Sequence, residues 1–405
     1  MKDIEQTFTA LKKFDLATRL LLIVIYLAFI SLGLPDSLLG PAWPTMYRNL
    51  SVPVQYAGIL SMIVAAGTVV SSLFSAIFIK RFGVAYVTTF SVLLTALALL
   101  GFSFSQHFIF LCLLAIPLGL GAGSVDAALN NYVALHYEAK HMNWLHCFWG
   151  VGAAIGPIIM SRYLAAGKSW SAGYQTVGLI QLALVIILFF SLPLWIKDKK
   201  EMSAEHKDER RTSFKTLLAI AGVKQVLIVF FCYCTIEATF GLWGASYLVF
   251  VRRFTPGAAA QLVSFFYIGI TLGRFLSGFI TTRLNNRQMV YAGQWVIAAG
   301  LIVLLLPFHV TLLPAYFLVG LGCAPVFPAL LHETPRNFGE RYSQRIMGIQ
   351  MASAYIGITF MPLLFGQLAT WLGYSFLVWF TGIILVIKIY MNYVLNRIVS
   401  KASPG

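Results

Sequence analysis

The chain alternates between twelve long apolar runs and short polar connections, and most runs contain no more than one ionisable residue. Runs such as 20–39 and 179–196 reach the roughly 20 residues that a helix needs to cross a bilayer. Because a spanning helix satisfies its backbone hydrogen bonds internally, the pattern predicts an all-α membrane protein. The predicted spans, numbered 1 to 12, are 16–40, 54–79, 84–104, 108–134, 143–166, 173–196, 217–250, 257–281, 288–307, 310–332, 344–370 and 372–395.

Composition excludes a soluble class. The 405 residues are 59% hydrophobic and 11% charged, with a mean hydropathy of +0.81, whereas a soluble domain carries about a quarter charged residues. The net charge of +15 could indicate a nucleic-acid partner, but lysine and arginine lie in the loops. We therefore expect a lipid bilayer, with some attraction to anionic lipid, and no nucleic acid.

The basic residues favour one orientation across the membrane. Alternate loops carry most of them, including the cluster within 197–215. The opposite loops hold little beyond Arg48, Lys168, Arg252 and Arg253. Because positive loops remain in the cytoplasm, we expect a multi-pass plasma-membrane protein with both termini cytoplasmic.

The charged segment also divides the chain into similar halves. We predict an N-terminal six-helix bundle at 1–196, a cytoplasmic linker at 197–215 and a C-terminal six-helix bundle at 216–405. Matched positions are Gly67 with Gly269, Gly119 with Gly320, Gly121 with Gly322, Gly152 with Gly357, and Pro157 with Pro362. Twelve helices in two pseudo-symmetric bundles are typical of transporters in which two halves rock about a central site.

Four strings of residues narrow this class. They are Gly-Leu-Pro-Asp at 33–36, the Asp- and Asn-containing string at 123–131, the His- and Trp-containing string at 143–157, and the Glu- and Trp-containing string at 237–243 with Gly-Arg at 273–274. With them the chain resembles the major facilitator superfamily over essentially its whole length, and in particular the fucose/galactose/glucose:proton symporter branch and its sodium-dependent glucose transporter relatives. The loop between spans 2 and 3 departs from the family pattern, because Lys80 stands at its acidic position. The resemblance implies cation-coupled uptake of a sugar or similarly hydroxylated solute.

Two aspartates are the candidate cation-coupling residues, because a charge at membrane depth costs several kcal/mol unless it faces a cavity or a partner. Asp36 lies about 17 residues beyond Arg19, roughly 25 Å along span 1, and the preceding Pro35 opens the helical hydrogen-bond ladder. A carboxylate there suits repeated binding and release of a cation. The alternative is that span 1 ends near Leu34 and that Asp36 lies at the outer surface.

Asp126 is the second coupling candidate, and it shares a helix face with Asn130. A carboxylate and an amide on one face can hold sugar hydroxyls, or their oxygens can coordinate sodium. Asn143 and His146 begin span 5 and are further candidate substrate contacts that could meet Asp126. The alternative is an interhelical hydrogen-bond cluster of Asp126 with His146.

The remaining candidates lie within spans 5, 7, 8 and 11. We expect Arg274 to be a structural charge paired with Glu237, which alternatively contacts the solute. Trp149 and Trp243 lie near polar positions, and indoles stack on the apolar C–H faces of sugar rings, with core packing as the alternative. Gln350, a polar residue in span 11, is a further candidate substrate contact.

The hypothesis is a secondary transporter that works by alternating access, coupled to H⁺ or Na⁺. The alternative is a proton-coupled efflux antiporter of amphiphilic compounds. An enzyme is not expected, because the sequence has no glycine-rich nucleotide loop, no metal-spaced His/Glu set and no nucleophile constellation. We expect a monomer with a small-molecule substrate and neither cofactor nor metal site, and the sequence leaves the solute, the cation and the direction of transport open.

Overall fold

The computed structural model describes residues 2–137, 139–195, 214–280 and 283–402, apart from the side chains of 2–17, 139, 140, 143, 340 and 402. The described residues are almost all helical and contain no β-strand. All but two residues of the predicted linker, 197–215, lie outside them. The helices are α1 (Lys2–Asp36), α2 (Leu39–Asn49), α3 (Tyr56–Phe82), α4 (Val84–Phe104), α5 (Phe108–His136), α6 (Ala139–Ala165), α7 (Trp170–Ser191), α8 (Phe214–Ala219), α9 (Val223–Phe250), α10 (Pro256–Ile280), α11 (Asn286–Leu305), α12 (Leu312–Cys323), α13 (Val326–Phe338), α14 (Glu340–Leu372) and α15 (Phe376–Ala402).

Within the described residues, twelve helical stretches are long and apolar enough to cross a membrane, as the sequence predicts. Span 1 (Thr18–Asn49) joins most of α1 to α2, and span 10 (His309–Phe338) joins α12 to α13. Each of the other spans contains one helix. The predicted end of span 1 at residue 40 is wrong, because α2 continues the span for most of three further turns.

Consecutive spans alternate in direction, so their ends gather at two sides of the molecule. The side where span 1 begins is called here the termini side, and the side where span 1 ends at Asn49 is called the far side. Spans 5 and 8 illustrate the antiparallel packing. Trp144 stacks edge-on against Phe275 near the termini side, and the Ser161 hydroxyl donates to the Gly257 carbonyl at 2.8 Å near the far side.

The glycines matched in the sequence make equivalent contacts between helices in both halves. A Cβ at Gly119 in span 4 would overlap the carbonyl oxygen of Val64 in span 2, and a Cβ at Gly320 in span 10 would overlap that of Phe266 in span 8. Small residues let helix backbones approach closely, which is the main source of attraction between helices in a membrane. The equivalent contacts confirm two pseudo-symmetric helical bundles.

We expect Gly320→Ala to lower the stability of the purified protein by about 1 to 3 kcal/mol, because overpacking forces backbones apart. The matched control is Gly382→Ala in span 12, where an added methyl group meets open space. That change should leave stability equal or slightly higher, since alanine favours helix more than glycine does. Thermal unfolding in detergent compares the two, and equal midpoints would contradict the role of the glycine contact.

The two halves also touch each other on the far side. The rings of Tyr47 in span 1 and Phe250 in span 7 lie 5.8 Å apart. A Cβ at Gly58 in span 2 would lie 2.7 Å from the Cα of Leu363 in span 11. Spans 1 and 7, and spans 2 and 11, therefore close the molecule at this side.

Candidate functional site

A cavity of about 530 Å³ lies between the two halves. At the far end its lining residues Leu60, Phe102 and Tyr174 are buried. At the termini end its wall reaches the exposed Gly278 and the half-buried Asn286. The cavity is therefore closed toward the far side and reaches the surface toward the termini side. Its polar lining side chains at mid-depth include Asp36, Thr68, Asp126, His146, Trp149, Tyr233, Glu237, Tyr267, Arg274 and Tyr355.

Asp36 is positioned by a break in span 1. Pro35 has no N–H to donate to the Ser31 carbonyl, so this oxygen accepts instead from Gln181 Nε2 of span 6 at 2.7 Å. The helix stops at Asp36 and resumes at Leu39. Because the span continues to Asn49, Asp36 lies near its middle and lines the cavity. The alternative in which span 1 ends near Leu34 is wrong.

Trp149 connects Asp36 to the opposite half of the molecule. Its Nε1 donates to Asp36 Oδ2 at 2.9 Å, and the Arg274 guanidinium lies 4.9 Å from the ring centroid. Arg274 belongs to span 8, whereas Asp36 and Trp149 belong to spans 1 and 5. The stack of acid, indole and cation therefore joins both halves at the cavity wall, and a cation over an indole is worth about 0.5 to 2 kcal/mol.

Asp126 and Asn130 lie on one face of span 4. Asn130 Nδ2 donates to Asp126 Oδ1 at 2.9 Å, and Asp126 but not Asn130 lines the cavity. The Asn130 amide thus binds the Asp126 carboxylate from the side that does not line the cavity. In the described part of the chain, His146 lines the same cavity without a hydrogen bond to Asp126, and its ring meets Phe29 edge-on with 6.0 Å between centroids. The cluster of Asp126 with His146 is therefore not formed.

Glu237 faces the cavity from span 7 and is held by its own helix. The Tyr233 hydroxyl, one turn earlier, donates a hydrogen bond to Glu237 Oε2. The predicted ion pair of Glu237 with Arg274 is wrong, because the described residues form no such bridge. Arg274 instead packs on Trp149 and donates to the His146 carbonyl at 3.5 Å, so each charge has a different neighbour.

Two other predicted substrate contacts lie away from the cavity. Trp243 is fully buried, donates to the Pro362 carbonyl at 2.8 Å and packs against Phe365, which is the core role given as its alternative. Gln350 is also fully buried and accepts from the Thr334 hydroxyl at 3.0 Å. The prediction that Trp243 and Gln350 contact the substrate is therefore wrong, because neither side chain lines the cavity. The side chain of Asn143 lies outside the described part.

Sequence reasoning missed three tyrosines of the cavity wall, Tyr233, Tyr267 and Tyr355. Tyr267 lies within electrostatic reach of both Glu237 and Asp36, and Tyr355 lies within reach of Asp126. With 18 tyrosines in the chain, composition could not single them out. The available signal was spacing, since Tyr233 precedes Glu237 by one helical turn.

Twelve spanning helices in two pseudo-symmetric bundles, with a cavity between them that is mostly apolar but carries charged side chains at mid-depth, define a membrane transporter. The sequence model of the Major Facilitator Superfamily matches residues 25–331 of the chain. A second alignment of the same model covers residues 253–403. The chain belongs to this superfamily, as its motifs predict. It is a multi-pass membrane transporter of a small molecule and not an enzyme.

The chain is similar along most of its length to transporters of different solutes. It is 22% identical over 358 residues to the glucose/mannose transporter GlcP of Bacillus subtilis, covering 84% of this chain and 86% of that one. It is also 22% identical over 363 residues to the cis,cis-muconate transport protein of Acinetobacter baylyi, covering 85% and 86%.

A solved structure shares the fold. The crystal structure of a bacterial homologue of the human lysosomal transporter Spinster, in an inward-facing and unoccupied conformation, superposes with a TM-score of 0.75. The sequences are 14% identical, and the match covers 97% of this chain and 99% of that one. Likeness at this identity concerns the arrangement of helices alone.

Proposed function

We propose that this transporter takes up a sugar or similarly hydroxylated solute together with a cation, H⁺ or Na⁺. The observation that carries the proposal is the stack of Asp36, Trp149 and Arg274 at the cavity wall. It combines an acid for the cation, an indole face for a sugar ring and a link to the other half. A solute bound there would contact groups that belong to both moving parts.

The chemistry of the cavity wall supports a neutral, hydroxyl-rich solute. Its volume of about 530 Å³ falls within the range of small-molecule sites, roughly 300 to 1,000 Å³. Acceptors such as Glu237 and donors such as the Tyr267 hydroxyl face the same space as the indole of Trp149. Sugar rims need hydrogen-bonding groups and sugar faces need aromatic rings, and this wall offers both.

The acids of the N-terminal half support cation coupling. Asp36 and Asp126 are near enough for one to act on the other electrostatically. Asp36 accepts a hydrogen bond from Trp149, and Asp126 accepts one from Asn130. No other described side chain occupies the second oxygen of either carboxylate, so it is available to a proton or a sodium ion, and binding of either removes repulsion between the two acids.

The direction of the cavity agrees with uptake if the termini are cytoplasmic, as the basic loops predict. In that orientation the described conformation is inward-open, with the far side closed by Tyr47 and Phe250. A solute would be released beside Gly278 and Asn286. The kinship to a glucose/mannose transporter favours a sugar, and the kinship to a muconate transporter makes an organic acid the second solute to test.

A panel of sugars and dicarboxylates should identify the solute by stabilising the purified protein. At a concentration about 100 times its Kd, a bound ligand stabilises the native state by about 2.7 kcal/mol. We expect one or more sugars to raise the unfolding midpoint and muconate to leave it unchanged. Stabilisation by dicarboxylates alone would contradict the sugar.

Proteoliposomes distinguish uptake from the alternative, efflux of amphiphilic compounds in exchange for protons. Addition of the solute outside should draw protons or sodium inward with it, so a proton symporter makes the external medium more alkaline. An antiporter moves protons in the opposite direction. A medium that becomes more acidic on addition of solute would overturn the proposal.

A further inference from the structure

A buried ionisable group, Lys388, lies outside the cavity in the C-terminal half. Lys388 is in the middle of span 12, and its side chain is fully buried among spans 7, 9, 10 and 12. Its ammonium nitrogen is 3.4 Å from Gln294 Oε1 of span 9. The cavity wall does not include Lys388 or Gln294, so the transport site makes no use of this group.

The surroundings of Lys388 offer no counter-charge. Its neighbouring titratable groups are the thiols of Cys232 in span 7 and Cys323 in span 10. Acids with described side chains are few, and each has another neighbour: Asp36 has Trp149, Asp126 has Asn130, Glu237 has Tyr233 and Glu333 has Arg287. An unpaired ammonium at membrane depth costs several kcal/mol.

Near Lys388, hydrogen-bond donors outnumber the acceptors that a charged amine would need. Asn392 Nδ2 points to the same Gln294 Oε1 at 3.5 Å, and the buried Gln294 Nε2 has no partner. A charged amine needs three acceptors, whereas an uncharged amine has a lone pair that accepts a hydrogen bond. An uncharged Lys388 therefore fits these neighbours better than a charged one.

A line of polar groups leads from Lys388 to the termini side. Asn396 Nδ2, two turns further along span 12, donates to Asn392 Oδ1 at 3.4 Å and to the Tyr291 hydroxyl at 3.2 Å. Burial falls along this line, from the fully buried Lys388 to the half-buried Asn396. The line gives water a polar approach to Lys388 from the termini side.

We propose that Lys388 is a proton-binding site of the C-terminal half, separate from the cavity, whose amine is uncharged in this conformation. It takes up a proton from water that enters from the termini side, past Asn392 and Asn396, when spans 9 and 12 move apart. Uptake converts the amine to an ammonium that requires water or new acceptors. Acid therefore weakens the packing described here, whichever solute is carried.

The test is the pH dependence of unfolding of the purified full chain by sodium dodecyl sulfate in mixed micelles. A lysine that is uncharged when folded and charged when unfolded makes the unfolded state bind one more proton, so stability rises with pH. We expect Lys388→Met to remove this contribution. At pH values below the pKa of a solvated lysine, about 10.4, the ratio of wild-type to variant folding constants should rise with pH, by up to tenfold per pH unit.

The matched control is Lys401→Met, which removes an exposed lysine from the same helix and should leave the slope unchanged. Lys388→Gln provides a second variant if the first does not fold, with the same expected loss of slope. Parallel pH profiles for wild type and Lys388 variants would mean that Lys388 keeps its proton, which overturns the proposal. Stabilisation of the wild type by chloride, absent from the variants, would also overturn it and assign an anion site.

Discussion

Replacing Asp36 by asparagine should abolish cation-driven accumulation of the solute while counterflow exchange continues. Asparagine keeps an acceptor for Trp149 Nε1 at similar size but cannot take up a proton. The asparagine side chain also lacks the negative charge that would bind a sodium ion. Proteoliposomes with an imposed proton or sodium gradient measure accumulation, and preloaded vesicles measure exchange. Driven uptake should fall to the level reached without a gradient.

A matched change of a carboxylate outside the cavity is Glu333→Gln in span 10. Glu333 forms an ion pair with Arg287 at 3.3 Å and does not line the cavity. We expect this variant to be less stable but still able to accumulate solute against a gradient. Equal loss of accumulation and exchange in Asp36→Asn would assign Asp36 to solute binding or folding rather than to coupling.

Substitutions of Trp149 should separate its two contacts. Trp149→Phe keeps a ring beneath Arg274 and beside the solute but removes the N–H that Asp36 accepts. A hydrogen bond to a charged group is worth about 1.5 to 3 kcal/mol, so cation affinity should change by roughly tenfold or more. Exchange should change less than driven uptake. Trp149→Ala also removes the ring, and both activities should fall.

The control for Trp149 is Trp144 in the same span, which is exposed and lines no part of the cavity. Trp144→Phe should transport as the wild type does. The concentration dependence of uptake, measured for the cation and the solute separately, distinguishes the two roles. If Trp149→Phe and Trp149→Ala lose activity to the same extent in every assay, the indole N–H has no role of its own.

The sequence predicted the number of spans, the duplication and the depth of Asp36, because each depends on local hydrophobicity or on repetition along the chain. It did not predict that span 1 continues to Asn49, since Pro41 and Pro44 follow the break. Pro41 is tolerated because it lies in the first turn of α2, where backbone N–H groups have no partner within the helix, whereas Pro44 lies inside the helix.

Contacts between distant spans were harder to predict. Trp149 and Trp243 both lie near polar positions in the sequence, yet one lines the cavity and the other packs on Phe365. Which side of a helix faces the cavity depends on how the bundles meet, and an apolar span has almost no hydrophobic asymmetry to indicate it. The predicted ion pair of Arg274 with Glu237 was wrong for the same reason. Opposite charges in two spans do not show that the two side chains face each other.

Spans 5 and 8 are packed against each other from one membrane surface to the other, through Trp144 with Phe275, Gly150 with Thr271 and Ser161 with Gly257. If this seam stays intact, the halves can only rotate about it. Widening one mouth then narrows the opposite mouth, so the two are never open together. Under that condition, the geometry of the seam alone prevents a continuous opening across the membrane.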